Sequence, residues 1–471
     1  LMRPPASRPT TQPPATPACG VLPRRSCRRH RRVPRASGGL SLALETTDDI
    51  LIATMPERHA GLTVVGFTWL SERAFDLFEG MQGLAWWTPL VWTPLCTAAI
   101  VWLKRRFAPG AAGSGIPQVM AALDPALAPE QRGLFVSLRL SLAKIALTAS
   151  GLLAGLSLGR EGPSVQIAAG IMLQARRWLP QRSSVTVHGL LVAGGAAGIA
   201  AAFNTPLAGV MFAIEELARS PEQRSSGLII TAIVLGGVVA VSVHGNATYF
   251  GVVHTGDIGI ALLVPGMVVA LCAGLAGGLF SRLLIVSLAG EGRDRLSRLR
   301  ARRPVLFGAV CGAGVAVIGL VTAGATFGSG YSPTRGMVEG VATMPIMYAF
   351  FKFVATWLSA WSGVPAGIFA PSLAIGAALG NDVALAFYGA QVPALIALGM
   401  VGFLAAATQA PLTAFIIVME MVDGHAMVLS LMACALVASM VSRIISPPLY
   451  PTLARMQLAR AQPAPLVKAQ E

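Results

Sequence analysis

From residue 61 to residue 445 the chain alternates long apolar runs with short polar, glycine-rich or proline-rich breaks. Runs of this length with few charges read as membrane helices. Two spans open the series, at 61–78 and 89–103. The first carries Glu72, Arg73 and Asp76, so hydropathy alone would not mark it; the second ends in Lys104-Arg105-Arg106, a cytoplasmic stop. The piece at 113–123, about 11 residues, is too short to cross ~30 Å of hydrocarbon and must end partway or lie at an angle. Runs at 134–158, 165–173, 189–202 and 205–217 follow, the last ending in Glu215-Glu216. A span at 226–243 and a loop at 244–259 lead to 261–288, long enough to cross with tilt. A basic loop then runs to Arg303, followed by a span at 304–322, a segment near 333–342 and a further crossing at 345–361. A Gly/Pro-rich stretch at 362–372 precedes spans at 393–407, 411–421 and 427–445. Pro447-Pro448-Leu449-Tyr450-Pro451 breaks the pattern, and 452–461 is expected to form a polar terminal helix.

The pattern repeats within the chain. Gly159-Arg160-Glu161-Gly162-Pro163-Ser164 recurs as Gly367-Ile368-Phe369-Ala370-Pro371-Ser372, and Asn204-Thr205-Pro206-Leu207 as Gln409-Ala410-Pro411-Leu412, with Glu215 falling opposite Glu420. The offsets are 208 residues at the first proline pair and 205 at the second. Two blocks in order at nearly one spacing point to two related halves, and paired broken helices in two halves point to a binding site between them.

The stretch Leu158-Gly159-Arg160-Glu161-Gly162-Pro163-Ser164 organises the rest. Its ionisable residues lie between apolar runs, where charge is costly and functional. Pro163 is suited to open a helix, and Gly159 and Gly162 permit the turn before it. Glu161 is then expected just ahead of a helix N-terminus, whose free N–H groups and dipole attract negative charge. The acid and a small anion would compete for the same helix end.

Composition narrows the class. The chain of 471 residues is 54% hydrophobic and 12% charged, against about 25% charged in soluble domains. A formal charge of +15 raises nucleic acid as a partner, but much of it lies in the N-terminal tail and at 282–303, beside apolar spans, which fits cytoplasmic loops and no nucleic acid. The tail at 1–39, with Arg24-Arg25-Ser26-Cys27-Arg28-Arg29-His30-Arg31-Arg32, has no apolar signal-peptide core and reads as disordered and cytosolic. Cys96, Cys272, Cys311 and Cys434 lie in apolar runs and are expected to pack as small hydrophobes. His188, His244 and His254 show no metal-ligand spacing, and no cofactor is implied.

Three Gly-x-x-x-Pro turns, at Gly113–Pro117, Gly159–Pro163 and Gly367–Pro371, each precede an apolar segment. Three such turns suggest helix N-termini converging inside the protein, where partial positive charges hold a dehydrated halide loosely enough to let it leave. Ser114 would add a hydroxyl donor and the backbone near Phe369 further N–H groups. Taken in order, Gly-Ser-Gly-Ile-Pro, Gly-Arg-Glu-Gly-Pro and Gly-Ile-Phe-Ala-Pro resemble the three signature stretches of the CLC family of chloride channels and chloride/proton antiporters, over about residues 61–458.

The resemblance implies an all-α polytopic membrane protein of about 16–18 helices, uneven in length and tilt, in two inverted-topology repeats with broken helices. The halves would be about 61–220 and 260–446, within a transport domain at 41–458 flanked by tails at 1–40 and 459–471. It implies a homodimer with one anion pathway per subunit, in the cell's inner (plasma) membrane with both termini cytoplasmic. Ser114 and Tyr450 would supply hydroxyls to the central anion, and Ile368 and Phe369 backbone N–H groups. Glu161 would be the gating glutamate and Glu216 the internal proton-transfer acid, with Lys144 and Arg160 supplying positive potential. No C-terminal nucleotide-binding modules follow, so no nucleotide control is expected. The family's serine at position 114 goes with chloride among halides and nitrate, and fluoride is not expected.

Other readings stand beside these. Glu161 as a structural helix-end charge, Glu215-Glu216 as a helix end at the water interface, Tyr450 as an interfacial aromatic, and Lys144 or Arg160 paired with acids are each compatible with the residues alone. The function expected is chloride/proton exchange; a passive chloride channel is the alternative, and the acid at Glu216 favours exchange. A carboxylate enzyme using Glu215 and Glu216 is disfavoured, because adjacent helical residues diverge by ~100°.

Overall fold

The computed structural model describes residues 37–177, 185–218, 226–245, 248–253, 262–290, 295–387 and 391–461. Residues 1–36 of the tail expected at 1–40, His254 and residues 462–471 lie outside them, and 37–40, expected to be disordered, open the first helix. Glu45–Glu471 form one compact unit; of Leu1–Leu44, the described part is the helix that begins at Ser37. Among the described residues there are eighteen α-helices, and the one strand-like pairing is a bridge between Gly159 and Gly367.

The first half runs α1 (Ser37–Leu84), α2 (Thr88–Phe107), α3 (Ile116–Ala122), α4 (Leu138–Leu153), α5 (Glu161–Ala175), α6 (Val187–Phe203), α7 (Pro206–Phe212) and α8 (Ser226–His244). The second continues with α9 (Leu263–Ala289), α10 (Arg295–Arg302), α11 (Pro304–Val321), α12 (Tyr331–Val338), α13 (Tyr348–Trp361), α14 (Phe369–Ala386), α15 (Val392–Thr408), α16 (Pro411–Met421), α17 (Val428–Ile445) and α18 (Leu449–Ala461). Five segments, among them α9, α11 and α14, are long and apolar enough to cross a membrane. The shorter α6 and α15 are apolar on every side and buried along nearly their whole length, as helices at the centre of a bundle must be.

The two halves use the same packing device. Glycines bring the helix backbones together: a Cβ at Gly194 on α6 would sit 2.8 Å from the Ala169 Cα on α5, and one at Gly399 on α15 would sit 2.1 Å from the Gly376 carbonyl oxygen on α14. Both central helices end on a left-handed residue, Asn204 (φ 57°) and Gln409 (φ 62°), before the proline that starts the next helix.

Three helix boundaries differ from expectation for one reason. α5 starts at Glu161 and not at Pro163, because the Arg160 carbonyl already accepts from Ser164 N–H at 2.9 Å. Pro163 then falls inside the first turn, where its missing N–H has no helical partner to lose. Glu161 is therefore the first helical residue and not a residue ahead of the helix. α14 likewise starts at Phe369, with Ile368 accepting from Ser372, and α18 at Leu449, with Pro448 accepting from Thr452, so Tyr450 lies in the helix and not in the break before it. The basic loop holds an unexpected short helix, α10, which leads into α11.

Candidate functional site

Glycine at 113 and 115 takes positive φ (75° and 116°), a conformation the Gly-Ser-Gly sequence permits, and this turns Ser114 towards α5. A Cβ on Gly162 would sit 2.6 Å from Ser114 Oγ, so the first and second signature turns touch. The second and third are tied by backbone: Gly159 N–H donates to Gly367 O at 2.7 Å and Gly367 N–H to Gly159 O at 3.0 Å. The N-terminal ends of α5 and α14 thereby meet.

Glu161 lies at that meeting point with none of its surface exposed. Ala370 N–H, in the first turn of α14, reaches its Oε2 at 3.4 Å. The buried carboxylate therefore lies against the positive end of a helix from the opposite half. Its neighbours face different cavities. Arg160 lines one of about 960 Å³, while Ser114 lines one of about 450 Å³ with Ile368 and Tyr450. The two share no lining residue, and Glu161 lines neither.

Tyr450 is fully buried, which rules out an interfacial aromatic. Its hydroxyl is within interaction range of the Ser114 side chain and of the Glu161 and Glu216 carboxylates, and its ring stacks on Phe369 with centroids 6.0 Å apart. Neither the Ser114 nor the Tyr450 hydroxyl has a partner in hydrogen-bond geometry. Both residues line the cavity of about 450 Å³.

Glu215 and Glu216 separate. Glu216 is 6% exposed, in a π-helical turn after α7. Glu215 accepts N–H bonds from Leu412 (3.1 Å) and Thr413 (2.6 Å), in the first turn of α16. The reverse holds across the molecule, where Glu420 accepts from Leu207 (3.1 Å) and Ala208 (2.8 Å) in the first turn of α7. The pair does not simply end a helix in water.

Lys144 is fully buried and pairs with no acid. It donates to Ala111 O (2.9 Å) and Gly113 O (2.6 Å), which fixes the Ser114 turn. Arg160 does pair with an acid, Glu72, at 2.9 Å, and donates also to Thr68 O and Tyr249 Oη. Sequence reasoning missed Lys352, which repeats Lys144 in the second half. Also fully buried, it donates to Thr326 O (3.0 Å) and Gly328 O (2.8 Å), before a second Gly328-Ser329-Gly330 turn at α12. The signal was present as a lysine 208 residues on and a repeated Gly-Ser-Gly.

Residues 96–443 match the sequence model of the voltage-gated chloride channel family. The chain belongs to the CLC family. It is thus an integral, multi-pass membrane transport protein and not an enzyme. Among CLC relatives, it is 30% identical over 445 residues to the H(+)/Cl(-) exchange transporter ClcA of Klebsiella pneumoniae strain 342, covering 90% of this chain and 91% of that one. It is 30% identical over 393 residues to the ClcA of Salmonella typhimurium strain LT2, covering 80% of each. The fold matches that of a slow cyanobacterial Cl-/H+ antiporter (TM-score 0.75, 24% identity, 88% of this chain and 98% of the other). It also matches a CLC-type fluoride/proton antiporter (TM-score 0.72, 20% identity, 86% and 98%).

Proposed function

We propose that this protein exchanges chloride for protons across the membrane. The carrying observation is Glu161: a fully buried carboxylate that accepts from Ala370 N–H at the positive end of α14, beside the backbone joint between Gly159 and Gly367. Chloride binds at the Ser114 and Tyr450 hydroxyls and the N–H groups around Ile368 and Phe369. When Glu161 takes a proton, its hold on the helix end weakens and an anion replaces it. Glu216, within range of Tyr450 and lining a separate hollow of about 770 Å³, delivers the proton from the other side. The names of the relatives support exchange, and so does the acid at Glu216; a passive chloride channel through the same residues is the competing reading. The basic runs Lys104-Arg105-Arg106 and α10 favour a cytoplasmic orientation for the side of the membrane on which they lie. The family resemblance favours a homodimer in which each subunit holds its own pathway.

Proton and chloride fluxes in vesicles of purified protein test this. A chloride gradient is expected to drive protons uphill in the wild type. Glu161→Ala and Glu216→Gln are expected to abolish proton movement and retain chloride flux. Chloride flux without proton pumping in the wild type establishes the channel instead.

A further inference from the structure

The cavity of about 450 Å³ that reaches Ser114 is also lined by Lys104, Arg300 and Arg460. A second hollow of about 240 Å³, lined by Arg105 and Ser297, shares those three residues. They come from α2, α10 and α18 and, with Leu288 and Gly363, line both spaces. Among the described residues, neither lining includes an Asp or a Glu, and no salt bridge reaches the three.

Their known partners do not balance their charge. Lys104, 9% exposed, donates to Gly363 O at 2.6 Å. Arg300 donates to Ser287 O, and Arg460 to Leu288 O (3.1 Å) and Ala289 O (2.8 Å). These last carbonyls end α9, and a helix C-terminus carries only about half an elementary negative charge. Three cations around it leave a large positive excess. The crowding registers on Arg300, which burial and, after it, the Arg460 guanidinium hold below the usual guanidinium range. Like charges brought together without an acid repel one another unless an anion joins them. Guanidinium forks also have donors left for one.

We propose that Lys104, Arg300 and Arg460 form an anion antechamber, a binding site for chloride and for small oxyanions that feeds the pathway to Ser114. It rests on the reading of Ser114 and Tyr450 as the anion path. An oxyanion such as phosphate, matched by the guanidinium forks, occupies the antechamber and blocks chloride from it.

Equilibrium chloride exchange in vesicles at low ionic strength tests the antechamber. Arg300→Gln with Arg460→Gln is expected to raise the half-saturating chloride concentration about three- to tenfold, with the maximal rate within about twofold. Arg300→Lys with Arg460→Lys keeps the charge and is expected to match the wild type. Inorganic phosphate is expected to compete with chloride in the wild type and not in the double Gln variant. An unchanged half-saturation, an equal rise in the Lys variant, or equal phosphate competition in both overturns the proposal. Arg460 is exposed, so Arg460→Gln alone, expected at about two- to fourfold, decides the matter if the double variant does not fold. Calorimetry of phosphate on solubilised protein separates the two readings. Binding retained in Ser114→Ala and lost in the double Gln variant supports the antechamber even if the wild type exchanges no chloride.

Discussion

Ser114 and Tyr450 are buried hydroxyls that line one cavity. If both bind one ion, Ser114→Ala and Tyr450→Phe each remove a donor worth about 0.5–1.5 kcal/mol, roughly two- to twelvefold in chloride half-saturation. The double variant is expected to lose less than the product of the two, which a four-way comparison of chloride affinities measures. Lys144 makes a different prediction. Lys144→Met strands the Ala111 and Gly113 carbonyls, and an unsatisfied buried polar group costs about 1–3 kcal/mol, so solubilised protein is expected to unfold several degrees earlier. Lys352→Met, whose two carbonyls sit equivalently, is expected to behave alike. Ser114, Glu161 and Tyr450 were readable in the sequence because each sits in or beside a motif. Lys352 was signalled only by its offset from Lys144 and the repeated Gly-Ser-Gly, and the grouping of Lys104 with Arg300 was not signalled at all, since a like charge brought near by folding leaves no mark in the sequence.

At the scale of helices, the exchange of carboxylates between α7 and α16 fixes two N-termini with side chains from the opposite half. Each carboxylate accepts two N–H bonds at a helix end, a charge-assisted cap. Glu420→Gln and Glu215→Gln are each expected to cost about 1–2 kcal/mol, read as a shift in denaturant midpoint. Glycine contacts set a steeper limit. Gly380→Ala would push a Cβ to 2.1 Å from Leu395 O between two backbones, so little or no folded protein is expected by size-exclusion chromatography. The sequence located most of these helices, because apolar runs between prolines map onto them directly. It misplaced the starts of α5, α14 and α18, because a proline marks the first turn without saying which residue of that turn it is. It missed α10 altogether, since eight residues rich in arginine carry no apolar run to announce a helix.

Over the whole molecule, the halves join at few backbone points, and the Gly159–Gly367 pair is the one beside Glu161. Gly367→Ala would place a Cβ 2.6 Å from Gly159 O and prise this joint open, with chloride/proton exchange expected to fall by more than tenfold while the outer helices stay folded by circular dichroism. The repeat was visible in the motifs at 208 and 205 residues, but that the two copies would hydrogen-bond to each other was not, because a spacing says nothing of facing. The swapped carboxylates have a consequence for biosynthesis. Leu207 leaves the ribosome 213 residues ahead of Glu420, the acid that closes its helix end. The early half must therefore wait in the bilayer with that end open to water or a chaperone, and neither half, made alone, is complete.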